Sequence, residues 1–181
     1  VIVVHLTANK TAAYTGRVQL ADMHQARIAA AGNKLSSVGK LQNGFEYEAQ
    51  LLVLNRNGAI AVKNDDACAV NPWDIAVPAA SLAFERCDSV TLILGAGTSF
   101  LQDHTKQWLG SHPHAAVTKR VDSAARQSPA KLLARHVKDH RSLFRRFSLD
   151  VGTTAPDVLA KTTTARLESY TNDLSVDPDL E

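Results

Sequence analysis

Residues 95–99 carry the residue types of a phosphate-binding loop, because two glycines follow an apolar run that is typical of a strand. However, Phe100 takes the place of the third glycine in the pattern G-x-G-x-x-G, and the Walker lysine is absent. Ser99 is preceded by Gly97, but Leu101 stands where a G-x-S-x-G nucleophile elbow has its second glycine. We therefore predict that these small residues let the chain turn out of a crowded sheet.

His136 and His140 are four residues apart, which places both on one face of a helix, where they could bind a metal ion. A zinc site needs a third protein ligand, and Val137 stands where the H-E-x-x-H motif has its glutamate. Since His140 also falls on an apolar stripe, we interpret it as a hydrogen-bonded packing residue, and we predict no metal or other cofactor.

Two pairs of acidic residues could be considered for glycoside hydrolysis, which uses two carboxyl groups. Asp65 and Asp66 are adjacent, whereas Glu46 and Glu48 alternate with apolar residues. Alternation places both glutamates on the same side of a strand, which is typical of the solvent-facing side of a sheet. We predict a catalytic role for neither pair.

Trp73 and Trp108 are candidates for contact with carbohydrate, since a flat aromatic side chain can stack on a sugar ring. Trp73 lies in the segment 64–78, whose prolines, aspartates and asparagines indicate a loop or insertion. It is the preferred candidate, and ordinary packing within the loop is the alternative.

The net charge of +2 is small, but the charges are unevenly distributed. Residues 119–146 contain nine basic residues and two acids, whereas residues 150–181 contain seven acids and two basic residues. Binding to phosphates would use Arg135, Lys138, Arg141, Arg145 and Arg146. Because no nucleic-acid-binding motif accompanies them, we predict a solvated or carboxylate-paired helix face and no nucleic-acid partner.

With 181 residues, of which 45% are hydrophobic, the chain is long enough for one domain or one domain with an appendage. No apolar run approaches the roughly 20 residues of a membrane helix, so we predict no membrane partner. Cys68 and Cys87 allow one disulfide or two unrelated thiols. Residues 1–4 already resemble a strand and residues 177–181 lack a cap, so we expect a piece of a longer polypeptide whose compartment stays open.

Residue periodicity predicts a series of β-strands in the first half of the chain. Residues 1–7 should form a strand buried on both sides, and residues 45–54 alternate as a half-buried antiparallel strand does. Three turn signals, Gly32-Asn33, Asn43-Gly44 and Asn57-Gly58, connect neighbouring strands, and residues 59–63 should return after the last of them. Further strands are predicted at 14–20, 25–31, 34–41, 80–86 and 90–94.

Beyond Phe100 the spacing of apolar residues changes from that of a strand to that of a helix. His112-Pro113 can start a helix with an apolar stripe of Val117, Val121 and Ala125. Ser128-Pro129 is a stronger helix start, with serine as N-cap and proline in the first helical position. The helix that follows has an apolar stripe of Leu133, Val137, His140, Phe144 and Phe147.

Three segments are distinctive: residues 90–100 (VTLILGAGTSF), 136–144 (HVKDHRSLF) and 147–152 (FSLDVG). Together they resemble glycoside hydrolase family 95, the α-L-fucosidase and α-galactosidase type of inverting enzyme. Residues 1–10 and 39–49 are similar to earlier strands of the same domain. In place of the family's Pro-Thr-Asp-Glu-Arg-Leu-like stretch this chain has TTTARL, which keeps Thr163, Arg166 and Leu167.

The resemblance implies a large parent enzyme with an N-terminal β-domain, a helical linker, an (α/α)6 catalytic barrel and a final β-domain. Residues 1–100 would be a portion of the β-supersandwich, and residues 101–181 the helical linker, with a short strand near 147–151 before the barrel. The catalytic residues would lie outside this chain, so none is assigned here.

We therefore expect a mainly β fold, an antiparallel β-sandwich followed by a helical linker. The expected function is that of a non-catalytic segment of a glycoside hydrolase, with the barrel of the same polypeptide and its oligosaccharide substrate as partners. The stripe that ends in Phe144 and Phe147 should dock on the barrel. The alternatives are a stand-alone carbohydrate-binding β-sandwich with Trp73 as its platform, and a basic nucleic-acid adaptor.

Overall fold

A computed structural model describes residues 1–63, 79–150 and 152–180. The chain divides into two compact units, Val1–Ala134 (unit 1) and Arg135–Glu181 (unit 2). Trp73, Cys68, Asp65 and Asp66 lie outside the described residues.

The described residues of unit 1 form two antiparallel sheets. The first has the strand order β1-β8-β5-β4-β3, and the second has the order β2-β7-β6. The strands are β1 (Ile2–Thr7), β2 (Tyr14–Ala21), β3 (Arg27–Ala31), β4 (Lys34–Lys40), β5 (Glu46–Arg56), β6 (Ala59–Lys63), β7 (Ala79–Cys87) and β8 (Ser89–Thr98).

The helices follow the strands in the sequence. A short 3-10 helix (His104–Lys106) precedes α1 (His114–Ala125) and α2 (Pro129–Phe144), and α3 (Pro156–Leu159) and α4 (Thr163–Asp173) belong to unit 2. Helix α2 begins at Pro129 as predicted, and the hydroxyl of Ser128 accepts a hydrogen bond from the Lys131 amide at 3.3 Å. Within the described residues, no helix is both long and apolar enough to cross a membrane.

The two sheets pack face to face around one apolar cluster, whose members come from both. Leu35, Leu51 and Val53 extend from the first sheet, and Leu82 extends from the second. The predicted antiparallel β-sandwich with a helical part after it is thus confirmed.

Helix α1 covers the opposite face of the first sheet. Val117, Val121 and Ala124 are buried there against Leu52 of β5 and Ile93 of β8. The predicted stripe of α1 is confirmed, except that Ala124 is more deeply buried than Ala125. The central strands of the first sheet are therefore buried on both faces.

Two glycines in β8 allow the close approach of α1. A Cβ atom on Gly95 would lie 2.6 Å from Val121 Cγ2, and one on Gly97 would lie 2.9 Å from Val117 Cγ2. The prediction that residues 95–99 leave the sheet is wrong, because β8 continues to Thr98. These glycines make room for a helix.

The turn signal Asn57-Gly58 has a different role from the one predicted. Both residues have positive φ, 54° and 68°, as a type I′ turn requires. However, β6 pairs with β7 and not with β5, so the turn carries the chain from the first sheet to the second. The turns at Gly32-Asn33 and Asn43-Gly44 do connect paired strands, as predicted.

Two further strand predictions are wrong. β1 is an edge strand, with Ile2 63% exposed, because it pairs only with β8. The strand expected near 147–151 is absent from residues 147–150, which follow α2 without regular structure.

We predict that Gly95→Ala lowers the free energy of unfolding of unit 1 by about 1–3 kcal/mol, because the added methyl group overlaps Val121. Urea denaturation measures the change. Ala96→Val is the matched control, since Ala96 is exposed on the same strand and should change stability by less than about 0.5 kcal/mol. Equal stability of Gly95→Ala and the wild type would show that α1 does not require the glycine.

Candidate functional site

Among the carboxylates that the structure describes in unit 1, that of Glu48 is the most deeply buried, since Glu48 is 2% exposed beneath α1. Nδ1 of His114 lies 2.9 Å from Glu48 Oε1 and 3.1 Å from Oε2. The Gln50 side-chain amide donates to Glu48 Oε1 at 2.6 Å and to Thr118 Oγ1 at 2.8 Å. His112 is more distant, with Nδ1 at 3.9 Å from Oε2.

Strand and helix periodicities bring these groups together. Glu48 and Gln50 are two residues apart on β5 and so face the same side of the sheet. His114, Thr118 and Asp122 are four residues apart on α1 and so share one helical face. Asp122 continues the polar row, with its carboxylate 3.8 Å from Lys34 Nζ.

The prediction that Glu46 and Glu48 form the wet side of a sheet is wrong for Glu48, because α1 covers that side. Glu46 is only partly buried and lies 3.6 Å from Lys40. A signal for this burial is present in the sequence, because the apolar residues Leu52 and Leu54 continue the side on which Glu48 and Gln50 lie. The polar row is best understood as a clamp that fixes α1 on the sheet.

A second feature of unit 1 is an aromatic strip formed by Phe45, Phe100 and Trp108. The rings of Phe100 and Trp108 are almost parallel, with an interplanar angle of 3° and 6.2 Å between their centroids. Phe45 stacks with Phe100 at the same centroid distance and an angle of 23°. Phe100 is 57% exposed and Trp108 is 45% exposed. The preferred tryptophan, Trp73, cannot be placed here because it lies outside the described residues.

A cleft of about 390 Å³ lies where the chain crosses between the sheets. Its most buried polar group is the Asp88 carboxylate, which accepts hydrogen bonds from the Ala12 amide at 2.8 Å and from Asn57 Nδ2 at 2.7 Å. The Ala12 amide is the main cause of the lowered pKa of Asp88, followed by the Asn57 side chain. These bonds fix the loop before β2 to the Asn57-Gly58 crossover.

The remaining sequence candidates are exposed or occupied by structural contacts. The Ser99 hydroxyl accepts a hydrogen bond from the Glu46 amide at 2.9 Å. His140 is exposed and stacks on Phe144 with 5.1 Å between centroids, next to His136. Among the residues that the structure covers, no group of three potential ligands has the geometry of a metal site. Cys87 is a buried free thiol.

Unit 2 contains a buried ion pair that sequence reasoning missed. Arg166 donates from Nε and Nη2 to the two carboxylate oxygens of Asp177, at 2.8 and 2.7 Å. Thr154 Oγ1 also donates to Asp177, at 2.7 Å, and accepts from the Asp179 amide at 3.0 Å. The only available signal was that Arg166 belongs to the stretch retained from the resembled family.

Comparison with known proteins gives a partial match, and no protein-family model matches the sequence. In an alignment of 100 residues that covers 51% of this chain, the sequence is 33% identical to a protein described as probable alpha-fucosidase A from Aspergillus oryzae (strain ATCC 42149 / RIB 40). The match spans 14% of that protein's length. It supports a relationship between part of this chain and a glycoside hydrolase.

We predict that His114→Ala lowers the free energy of unfolding of unit 1 by about 1–3 kcal/mol, because it removes the imidazole from a buried carboxylate. A double-mutant cycle with Glu48→Gln, measured by urea denaturation, should give a coupling of about 0.5–3 kcal/mol. His104→Ala, at an exposed histidine on the 3-10 helix, serves as the control. Additive effects of the two substitutions would contradict a clamp.

We also predict how the stability of unit 2 depends on pH. Hydrogen bonds from Arg166 are the main reason that the pKa of Asp177 falls from 3.8 to about 2. Because the pKa is lower in the folded protein, the ion pair stabilises unit 2 fully above pH 3.8, and this contribution is lost as the pH falls through about 2.

Hydrogen exchange at the Asp179 amide, corrected for intrinsic rates, measures this loss. Asp177→Asn should reduce protection at neutral pH and remove the acid-dependent part. Asp157→Asn, on the exposed side of α3, is the control. Undiminished protection of the wild type below pH 2 would contradict the assignment.

Proposed function

We propose that this chain is a non-catalytic, N-terminal segment of a family 95 glycoside hydrolase of the α-L-fucosidase type. The observation that carries the proposal is the 33% identity over 100 residues to the probable alpha-fucosidase A of Aspergillus oryzae. The β-sandwich with helices after it agrees with what the sequence resemblance implies for this part of such an enzyme.

The parent enzyme would hydrolyse a terminal α-fucosyl or α-galactosyl bond with inversion. That reaction needs one carboxylic acid that protonates the leaving group and one carboxylate that activates water. In the described parts of the chain, the buried carboxylates are those of Glu48, Asp88 and Asp177. Each is occupied by hydrogen-bond donors of its own unit, which favours structural roles. We therefore assign the catalytic groups to the (α/α)6 barrel of the same polypeptide.

An exposed apolar surface on α2 and the residues after it supports docking against that barrel. Leu133 is 62% exposed, Phe144 is 73% exposed and Phe147 is 74% exposed. Large apolar surfaces of this kind mark sites of interaction, and burial of one such side chain stabilises a contact by about 1.5–3 kcal/mol. Phe144 and Phe147 are the proposed anchors.

An activity assay tests the absence of catalytic groups. The 181-residue chain should release no 4-nitrophenol from 4-nitrophenyl α-L-fucopyranoside or α-D-galactopyranoside above a protein-free blank. A longer protein from the same reading frame, which includes the barrel, should hydrolyse one of them and give the inverted sugar by NMR. Turnover by the 181-residue chain would refute the proposal.

Docking is tested by comparing the same substitutions in both proteins. Phe144→Ser with Phe147→Ser should destabilise the longer protein by about 2 kcal/mol or more, because buried apolar area is lost. In the 181-residue chain the two side chains are exposed, so the change should stay within about 0.5 kcal/mol. Arg141→Ser, off the apolar stripe, is the control. Equal effects in both proteins would argue against docking.

A further inference from the structure

The aromatic strip of Phe45, Phe100 and Trp108 is not used by the clamp beneath α1 or by the apolar stripe of α2. Two of its rings are about half exposed to solvent, although apolar side chains of this size are usually buried. The three rings follow one another at equal centroid distances of 6.2 Å and with nearly parallel planes. Phe100 and Trp108 therefore present parallel and partly exposed rings at the surface of unit 1, with Phe45 next to Phe100.

The loop between β8 and α1 holds Trp108 in place through backbone hydrogen bonds. The Leu101 amide donates to the Trp108 carbonyl at 3.0 Å, and the Trp108 amide donates to the Asp103 carbonyl at 3.0 Å. The Gly110 amide closes the loop by donating to the Ser99 carbonyl at 2.7 Å. Trp108 thus has a defined position before any ligand arrives, which lowers the entropic cost of binding.

The same loop adopts an unfavourable backbone conformation at two successive residues. Gln107 has φ 55° and Trp108 has φ 63°, values that are uncommon for residues other than glycine and rare for a bulky aromatic residue. Conformations of this kind persist where the surrounding structure enforces them, and they cluster at functional sites. The strained residue here is the one that carries the exposed indole.

The charges in the loop are balanced. Asp103 accepts hydrogen bonds from the amide and hydroxyl of Thr105, at 3.0 and 2.6 Å, and lies 3.6 Å from Lys106 Nζ. Gln102 and Gln107 supply uncharged amide groups in the same loop. An uncharged ligand with an apolar face and several hydroxyl groups fits this chemistry better than an anion or a cation does.

We propose that the aromatic strip binds a neutral saccharide. A sugar ring presents C–H groups on one face and hydroxyl groups at its edge, so the face would stack on Phe100 and Trp108 while amides of the loop accept and donate hydrogen bonds at the edge. The choice of a saccharide over another neutral ligand rests on the proposed function. The site would hold part of the parent's oligosaccharide and perform no chemistry.

The chain contains two tryptophans, which permits a direct test. In Trp73→Phe, Trp108 is the only indole, and titration with 2′-fucosyllactose should change its fluorescence in a saturable manner. Saturation-transfer NMR should show contact with the sugar ring protons of the same ligand. In the Trp73→Phe background, Phe100→Ala should raise Kd by about tenfold or more, as truncation of a binding hot spot does.

Further variants separate loss of binding from loss of folding. Trp108→Phe keeps an aromatic face and should retain the NMR signal, whereas Trp108→Ala should lose it with an unchanged circular dichroism spectrum. Tyr170→Ala, at an aromatic residue of unit 2, should bind as the wild type does. Absence of a fluorescence change in Trp73→Phe, or full binding by a folded Trp108→Ala, overturns the site.

The result of the saccharide titration does not depend on the result of the activity assay. Hydrolysis of a 4-nitrophenyl glycoside by the 181-residue chain would overturn the proposed function without affecting the titration. Failure of the titration would overturn the saccharide site and leave the non-catalytic role of the chain as it was.

Discussion

The close contact between α1 and the first sheet is the constraint on which unit 1 depends. It needs hydrogen atoms in place of side chains at Gly95 and Gly97, because Val121 and Val117 occupy the adjacent space. Once the helix is this close, the far side of β5 is closed to water. Its polar residues must then find partners on the helix, and His114 and Thr118 supply them. The glycines of β8 thus allow α1 to cover β5, and the covered polar residues of β5 therefore need hydrogen-bond partners on the helix.

This dependence explains why the sequence predicted the strands better than their surroundings. Alternation in residues 45–54 correctly indicated a strand, but the polarity of Glu48 and Gln50 suggested solvent on that side. Local periodicity carries no information about a helix that packs on the strand from more than 60 residues away in the sequence. The turn at Asn57-Gly58 is a similar case, since its backbone type was predictable, while the transfer of β6 to the second sheet depends on long-range pairing with β7.

Candidate chemistry was harder to predict than the fold, because the same residue types serve structure and catalysis. Glu48, Asp88 and Asp177 are buried acids, the type of residue from which a glycoside hydrolase builds its active site. Each holds two chain segments together: Glu48 fixes α1 on β5, Asp88 joins the loop before β2 to the crossover, and Asp177 joins the end of unit 2 to α4. A carboxylate whose oxygens are already engaged by donors of its own unit is not free to contact a substrate.

The geometry of the aromatic strip depends on hydrogen bonds that connect its loop to β5. Ser99, at the start of the loop, is buried and tied to β5 through two hydrogen bonds with Glu46, one from its amide and one to its hydroxyl. Its carbonyl then accepts from Gly110 at the other end of the loop, two residues before the His112-Pro113 start of α1. Loosening α1 would therefore act on the Gly110 end of the loop that orients Trp108, whereas β5 holds the Ser99 end. The packing of a helix on a sheet and the position of an exposed indole are thus parts of one arrangement, although they lie on different surfaces of unit 1.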